Sequence, residues 1–518
     1  MNTYYNMCHD IDRYADSSRI AIHWMNQVGD QQILTYQQLK EKSDELAKGF
    51  VEQGLQKGDR VMILLSRIPE AYVTYMACLK AGLVLLPGSE MLQISDINYR
   101  LSHAHVKAVI ADESLVDRVN KAMDGLNSVT HRIVYGAAES WISLNRIVGD
   151  PNTVLPQTKA DDIAFISYTS GTTGGPKGVI HHHQWAVAHQ ETTKYWLDIQ
   201  DGDRVWATAG PGWAKWIWSP FISTLGAGAT AFVYHGSFQA ETYLTLLQDQ
   251  KINVLCCTPT EYRLMAKTEQ LNRFDLSPLR SAVSAGEPLN REVIDTFKKY
   301  FKVTVRDGYG QTENTLLVAT LKDMEPKAGS MGKPTPSNRV SLVDDEGNEV
   351  PQGTVGHIAV HESSPALFKG YYLDDERTKA AFRGDWYLTG DRARMDEEGY
   401  FWFEGRSDDI IISSGYTIGP FEVEDALVKH PKVKECAVVA SPDPIRGSIV
   451  KAFVVLKENI PSSDELVTEL QNHTKVVTAP YKYPREIEFV NQLPKTTSGK
   501  IRRIELREME KARKQSMS

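Results

Sequence analysis

The chain has 518 residues, 42% hydrophobic and 24% charged, long enough for two or three cores and too apolar for a disordered chain. Its net charge of −8 is unevenly spread, with 17 Lys and Arg against 15 Asp and Glu over residues 409–518 and 41 against 51 elsewhere. A slightly basic tail on an acidic body excludes a broad nucleic-acid surface, although it suits an anionic small ligand.

The first residues, MNTYYNMCHDIDRYAD, are acidic where a signal peptide needs a basic start and an apolar run, and no stretch approaches about 18 apolar residues. Neither secretion nor a membrane span is expected. Cys8, Cys78, Cys256, Cys257 and Cys436 form no CxxC or zinc spacing and fit a reduced, cytoplasmic compartment. From residue 35 the pattern alternates helix and strand, starting with a helix opened by a Thr35/Gln38 capping pair and closed at Gly54. Strands are predicted at 60–65, 106–110, 163–168, 204–208, 229–234, 253–257 and 279–284, apolar without clean alternation and separated by helix-length segments. That texture predicts buried parallel strands in an α/β fold of mixed sheets with helices. Between about 339 and 403, short strands and turn signals predict an antiparallel β unit closing a large N-terminal domain. After GRSDD (405–409) come a helix at 421–429, strands at 433–439 and 449–456, a helix opened by Ser462 and Glu465, a strand at 486–490 and a basic helix at 501–514. These form a small α/β C-terminal domain, so the expected division is 1–407 and 408–518.

The densest chemical signal is YTSGTTGGPKG, Tyr168 to Gly178, between the predicted strand at 163–168 and a helical run expected from Val179. Strand, polar glycine loop and helix make a phosphate-binding context. Gly171, Gly174, Gly175 and Gly178 let the backbone approach an anion, Thr169, Ser170, Thr172 and Thr173 offer hydroxyls, and Lys177 adds a point charge. The spacing is not that of a Walker A loop, since Pro176 stands five residues after Gly171 and no GK[ST] follows. A plain polar surface loop is the competing reading, and it leaves so many donors beside one lysine unexplained.

SAGEP (284–288), DGYGQTE (307–313), YLTGD (387–391), GRSDDIIISSGYTIGPFEVE (405–424) and PKTTSGKIRR (494–503) follow in that order. With the glycine loop they give a chain that resembles the adenylate-forming enzymes, which include acyl-CoA synthetases, luciferases and peptide-synthetase adenylation domains. The resemblance spans nearly the whole sequence and implies a mobile C-terminal domain hinged at Asp408. It also implies a two-step reaction, in which a carboxylate attacks the α-phosphate of ATP and the acyl-adenylate then meets a thiol. In that family Thr169, Ser170, Gly171, Thr172, Thr173, Gly174 and Lys177 cradle the β- and γ-phosphates. Gly286, Glu287 and Pro288 line the adenine together with Asp307, Gly308, Tyr309, Gly310 and Gln311. Thr312 contacts the α-phosphate or acyl oxygen, and Glu313 holds Mg2+ as a hard oxygen ligand. Asp391 accepts from the ribose hydroxyls, and Arg406 donates to ribose and phosphate.

Lys500 is the implied catalytic lysine, neutralising charge as carboxylate and α-phosphate approach. The same lysine in a basic tail is an implied target of acylation and deacylation regulators, since acylation removes its charge. For the second step the resemblance implies that rotation about Asp408 withdraws Lys500 and presents Ser414, Gly415 and Tyr416 to the pantetheine arm of CoA. Arg446, Lys475 and Tyr483 fall where relatives contact the CoA nucleotide, and each reads equally well as a solvated surface residue.

Thr417 stands where many relatives carry an arginine that contacts ATP. Gly310 stands where acetyl-CoA synthetases carry a pocket-limiting tryptophan, which implies room for a larger acyl group. PGWAKWIWSPF (211–221) brings Trp213, Trp216 and Trp218 near the expected pocket, with Trp206 close by. Aromatic walls suit an apolar tail, and core packing is the alternative for each. The PGWAKW segment resembles medium-chain acyl-CoA synthetases, favouring short branched or medium-chain acids over long-chain or aryl ones. His181-His182-His183 lacks metal-site spacing, and Cys256-Cys257 reads as strand packing. The leading expectation is an AMP-forming carboxylate-CoA ligase using ATP, CoA and Mg2+. An acetyl-CoA synthetase-like enzyme, an acyl-AMP ligase loading a separate carrier protein, and a non-catalytic nucleotide or acyl binder are the alternatives. Intact Lys177, Glu313, Asp391, Arg406 and Lys500 oppose the last of these.

Overall fold

Along Arg60–Leu64, Val61 and Ile63 face one core while Met62 and Leu64 face another, so the unbroken apolar run reflects a strand buried on both faces. The computed structural model describes residues 4–16, 18–169, 176–286, 289, 291–407, 409–413, 416–443, 447–478, 482–495 and 500–517. The chain forms two compact units, Met1–Val340 with Val360–Asp385, and Ser341–Ala359 with Trp386–Ser518.

The first unit is built on two sheets. One runs Ile142–Ser143, His131–Tyr135, Ala108–Asp112, Arg60–Leu64, Val84–Pro87, Ile163–Thr169, Lys177–His182, parallel until the last pair. The other runs Lys333–Pro334, Val318–Ala319, Val305–Tyr309, Ser281–Ala285, Val254–Cys257, Arg204–Ala207, Thr230–His235, Ile20–Asn26, Gln31–Thr35, parallel in the middle and antiparallel at both edges. One core cluster takes side chains from both sheets and from the helices Tyr36–Glu52 and Pro69–Lys80. The second helix is buried along nearly its whole length, with Tyr72 and Tyr75 against Trp216 at centroid distances of 4.8 and 4.6 Å. The first opens with the predicted capping box, and Gly54 takes φ +93° just beyond its end. Two further clusters cover the outer faces of the sheets.

The helix expected from Val179 is a strand instead. Lys177–His182 returns antiparallel along Ile163–Thr169, with Thr169 opposite Lys177. The β-branched pair Val179 and Ile180 suits that pairing. Gly178 has a backbone reason of its own, since a β-carbon there would meet Ile166 Cγ2 at 2.8 Å.

Val340–Val343, Gly356–His361, Trp386–Met395 and Phe401–Arg406 neighbour one another in that order in a small sheet, most of whose residues fall in the second unit. The three-stranded sheet Val433–Asp443, Gly447–Leu456, Glu486–Phe489 is antiparallel, then parallel. Its residues alternate between two cores, Cys436 and Val438 facing one and Ala437 and Val439 the other. The helix Asp464–Val477 is capped by Ser463, which accepts from Leu466 N, one residue later than the predicted Ser462. Among the described residues no helix is long and apolar enough to cross a membrane.

The helix Arg503–Met517 is pinned by Glu510, which is fully buried. Ser441 Oγ donates to its Oε1 at 2.8 Å, and Lys451 Nζ lies 2.7 Å from its Oε2 and 3.0 Å from Glu488 Oε2. Lys451→Met, which leaves Glu510 buried without its cation, is expected to cost about 3–5 kcal/mol in chemical denaturation. Adding Glu510→Leu is expected to recover most of that loss, because two apolar residues then replace the pair.

Candidate active site

The hairpin formed by Ile163–Thr169 and Lys177–His182 carries the glycine-rich segment at its tip. Ser170, Gly171, Thr172, Thr173 and Gly174 lie outside the described residues; Thr169 and Lys177 are the last strand pair before them. The segment is followed by a strand, Lys177–His182, so no helix N-terminus stands directly after it. Both ends of the loop are tied to the helix Ile94–His103. Tyr99 Oη donates to Pro176 O at 2.9 Å, and His103 Nδ1 lies 2.8 Å from Tyr168 Oη.

Residues two apart on a strand share a face, so the return strand aims Lys177 and His181 the same way, and both meet the TE of DGYGQTE. Lys177 Nζ lies 2.7 Å from Glu313 Oε1. His181 Nε2 lies 2.7 Å from Thr312 O; a carbonyl only accepts, so Nε2 carries the proton. Burial pushes His181 down to about 4, which keeps the ring neutral. Tyr371 completes the group: its hydroxyl accepts from Lys177 Nζ at 2.8 Å and donates to Glu313 Oε1 at 3.0 Å. Residues 369–372 reach this place by pairing with the return strand, through Lys369 N to Ile180 O, Ile180 N to Gly370 O and Tyr372 N to Gly178 O. Neither Tyr371 nor this role for His181 was predicted. Alternation along KGVIHH was the available signal for His181, whereas nothing local marks Tyr371.

Gly286 follows the strand Ser281–Ala285 with φ +113°, a conformation suited to glycine; Glu287 and Pro288 lie outside the described residues. Asp307 and Gly308 are buried in the neighbouring strand Val305–Tyr309. Asp307 is pushed up to about 7 by burial, against the opposing pull of Gly308 N, Leu289 N and nearby Lys215. Trp196 Nε1 donates to its backbone carbonyl at 3.1 Å.

Beyond this strand the chain doubles back. Leu317 N donates to Tyr309 O and Thr315 N to Gln311 O, with Thr315 at φ +61°, an uncommon conformation for a β-branched residue. A β-carbon on Gly310 would lie 1.2 Å from Thr315 O. Glycine at 310 is thus required by the backbone of its own turn, and the missing side chain is not by itself a measure of acyl space. Of the four tryptophans, Trp206, Trp216 and Trp218 are buried in the core, Trp218 stacked on Trp196 at 5.4 Å. Trp213 is 37% exposed.

The second unit brings together two more predicted residues. Asp391 and Arg406 are cross-strand partners in the antiparallel pair Trp386–Met395 and Phe401–Arg406, and Asp391 is buried. Lys500 is exposed beside an antiparallel bridge between Lys495 and Ile501. Lys475 Nζ stands 4.2 Å over the Tyr483 ring, whose hydroxyl accepts from Arg485 at 3.0 Å. Asp408, Ser414, Gly415, Arg446 and the side chains of Tyr416 and Thr417 lie outside the described residues.

Residues 11–372 match the AMP-binding enzyme family and residues 422–500 match the AMP-binding enzyme C-terminal domain. The chain belongs to this superfamily of adenylate-forming ligases, in its acyl-CoA synthetase branch. It is 58% identical to the acyl-CoA ligase YtcI of Bacillus subtilis (strain 168), covering 98% of this chain and 96% of that protein. It is 40% identical to the mitochondrial acyl-coenzyme A synthetase ACSM3 of Mus musculus, covering 98% and 91%. The crystal structure of the anthranilate CoA ligase AuaEII with anthranoyl-AMP superposes with a TM-score of 0.90 at 29% identity, covering 98% of each chain.

Asp307 has a thermodynamic signature. Between its unfolded value of about 3.9 and its folded value of about 7, the folded chain holds a proton that the unfolded chain has released. Stability therefore falls as pH rises through that window. Asp307→Asn is expected to gain stability relative to the unsubstituted protein between pH 4 and 7 and to level off above, as read by denaturation at a series of pH values. His181→Leu, which removes the hydrogen bond to the Thr312 carbonyl, is expected to cost about 1–3 kcal/mol. His181→Gln, able to donate to the same oxygen, is expected to restore most of it.

Proposed function

We propose that the enzyme activates a short branched-chain or medium-chain carboxylic acid with ATP and transfers the acyl group to CoA. The observation that carries this reading is the convergence of Lys177, from the glycine-rich hairpin, on Glu313 of DGYGQTE at 2.7 Å. In the first step a carboxylate oxygen attacks the α-phosphorus, the bond to the β-phosphate oxygen breaks, and pyrophosphate leaves. Lys177 and the 169–174 loop take the β- and γ-phosphates. Gly286 to Pro288 and Asp307 to Gln311 flank the adenine, and Thr312 meets the α-phosphate or acyl oxygen. Asp391 accepts from the ribose, with Arg406 beside it as donor. Lys500 neutralises the charge that builds between the two approaching anions. In the second step the CoA sulfur attacks the acyl carbon and AMP leaves.

Glu313 suits Mg2+ by its chemistry. Oε1 takes the Lys177 and Tyr371 contacts, while Oε2 takes no hydrogen bond among the described residues, leaving a hard oxygen for a cation that otherwise prefers phosphate and water oxygens. When bound there, the ion would neutralise phosphate charge. The two family matches leave residues 373–421 between them, and Asp408 within that interval is the proposed hinge between 1–407 and 408–518. Ser414 to Tyr416 would then flank the pantetheine arm, with Arg446, Lys475 and Tyr483 at the CoA nucleotide and Lys500 open to regulation by acylation.

The acyl class is supported by Trp213, exposed where its neighbouring tryptophans are buried, and by the resemblance of PGWAKW to medium-chain synthetases. An aryl acid is the second reading, favoured by the likeness to an anthranilate CoA ligase. ATP–pyrophosphate exchange with acetate, isobutyrate, 2-methylbutyrate, hexanoate, octanoate, benzoate and anthranilate, each repeated with CoA, decides between them. Exchange peaking on the branched or medium-chain acids, with thioester formed, is expected. A peak on the aryl acids supports the second reading, and exchange without thioester points to a carrier protein. Lys500→Ala is expected to lower exchange about 10²–10³-fold while leaving thioester formation from preformed acyl-adenylate intact.

A further inference from the structure

Glu313 is a buried carboxylate, and its charge needs a cation in every state of the catalytic cycle. In this structure the cation is Lys177, whose ammonium also donates to Tyr371 and stands 4.5 Å from the Tyr371 ring centroid. A lysine has donors only, so the Tyr371 hydroxyl must accept from it, and its own proton then points to Glu313 Oε1. The hydroxyl thus joins a cation to an anion and remains bonded to the anion if the cation moves. Its place is set from two sides: Tyr371 is a bridge partner of Val179, and its backbone N donates to Thr378 Oγ1 at 2.9 Å. The residue itself is buried.

We infer that Lys177 is a stand-in cation for Glu313 in the nucleotide-free enzyme, and that Tyr371 is the positioning residue that holds the carboxylate while Lys177 is exchanged for a divalent metal. This rests on the proposed roles of Lys177 and Glu313 and adds how they are coupled. Lys177 cannot serve the phosphates and Glu313 equally, so its departure and the arrival of the metal are two halves of one charge exchange. Through that exchange Tyr371 keeps its hydrogen bond to Oε1, which leaves Oε2 as the oxygen for the ion. A phenylalanine at 371 preserves the packing and removes both hydrogen bonds.

Manganese is the probe, and its bound fraction is read by electron paramagnetic resonance on the full chain. Tyr371→Phe is expected to weaken Mn2+ binding in the presence of ATP about tenfold, the worth of one hydrogen bond to a charged group. Mn2+·ATP affinity equal to that of the unsubstituted enzyme overturns the inference. Glu313→Gln separates the two levels: if it weakens Mn2+·ATP and Tyr371→Phe does not, only the Tyr371 role fails, and if neither variant matters, the metal role of Glu313 fails as well. Lys177→Met gives an independent reading with the opposite sign. Without nucleotide it is expected to bind Mn2+ about fivefold more tightly than the unsubstituted enzyme, because the competing positive charge is gone; equal or weaker binding overturns the stand-in role.

Discussion

A carboxylate taken out of water must be met by positive charge and by donors, and in this enzyme Glu313 imposes that demand on its whole neighbourhood. Lys177 reaches it only because the chain returns as a strand after the glycine-rich tip. Tyr371 reaches it only because residues 369–372 pair with that strand in turn. The backbone before Glu313 is held by His181 at Thr312 O, and the Glu313 carbonyl itself accepts from Phe368 N at 2.7 Å. The return strand Lys177–His182, the QTE segment and the 369–372 segment are thus one assembly, though they lie far apart in sequence.

The same segment is shaped by backbone geometry that side-chain chemistry does not explain. Thr315 in a left-handed conformation and Gly310 pressed on its carbonyl fold residues 309–317 back on themselves. Unfavourable backbone conformations of this kind persist where surrounding packing overdetermines them. Here Asn314 is fully buried and Leu317 N is tied back to Tyr309 O. Gln311 to Glu313 lie within this turn, between the Tyr309 and Leu317 ends that the bond joins.

Much of this was legible in the sequence. Runs such as RVMILL lie in parallel strands because a strand covered on both faces has no use for alternation, and the Thr35/Gln38 pair opens its helix because both halves of a capping box are local. Asp391 and Arg406, fifteen positions apart, meet because a hairpin joins them. Non-local geometry escaped. KGVIHH satisfies either a helix start or a strand, and only the available edge of Ile163–Thr169 decides. Tyr371 has no local signature, since its partners lie 194 and 58 residues away. Gly310 shows the reverse error: a residue read for the space it leaves is glycine because of a carbonyl five positions on. The cap at Ser463 rather than Ser462 is the ordinary ambiguity of two adjacent serines.

The Lys451 and Glu510 pair bears on how the chain tolerates changes at its end. Glu510 lies eight residues before Ser518, yet it neutralises a lysine inside the three-stranded sheet. The final helix is therefore a load on the interior and not an appendage. A protease cut or premature stop just ahead of Glu510 would strip the sheet of a counter-charge, so the position of Glu510 sets how far the chain can be shortened from this end.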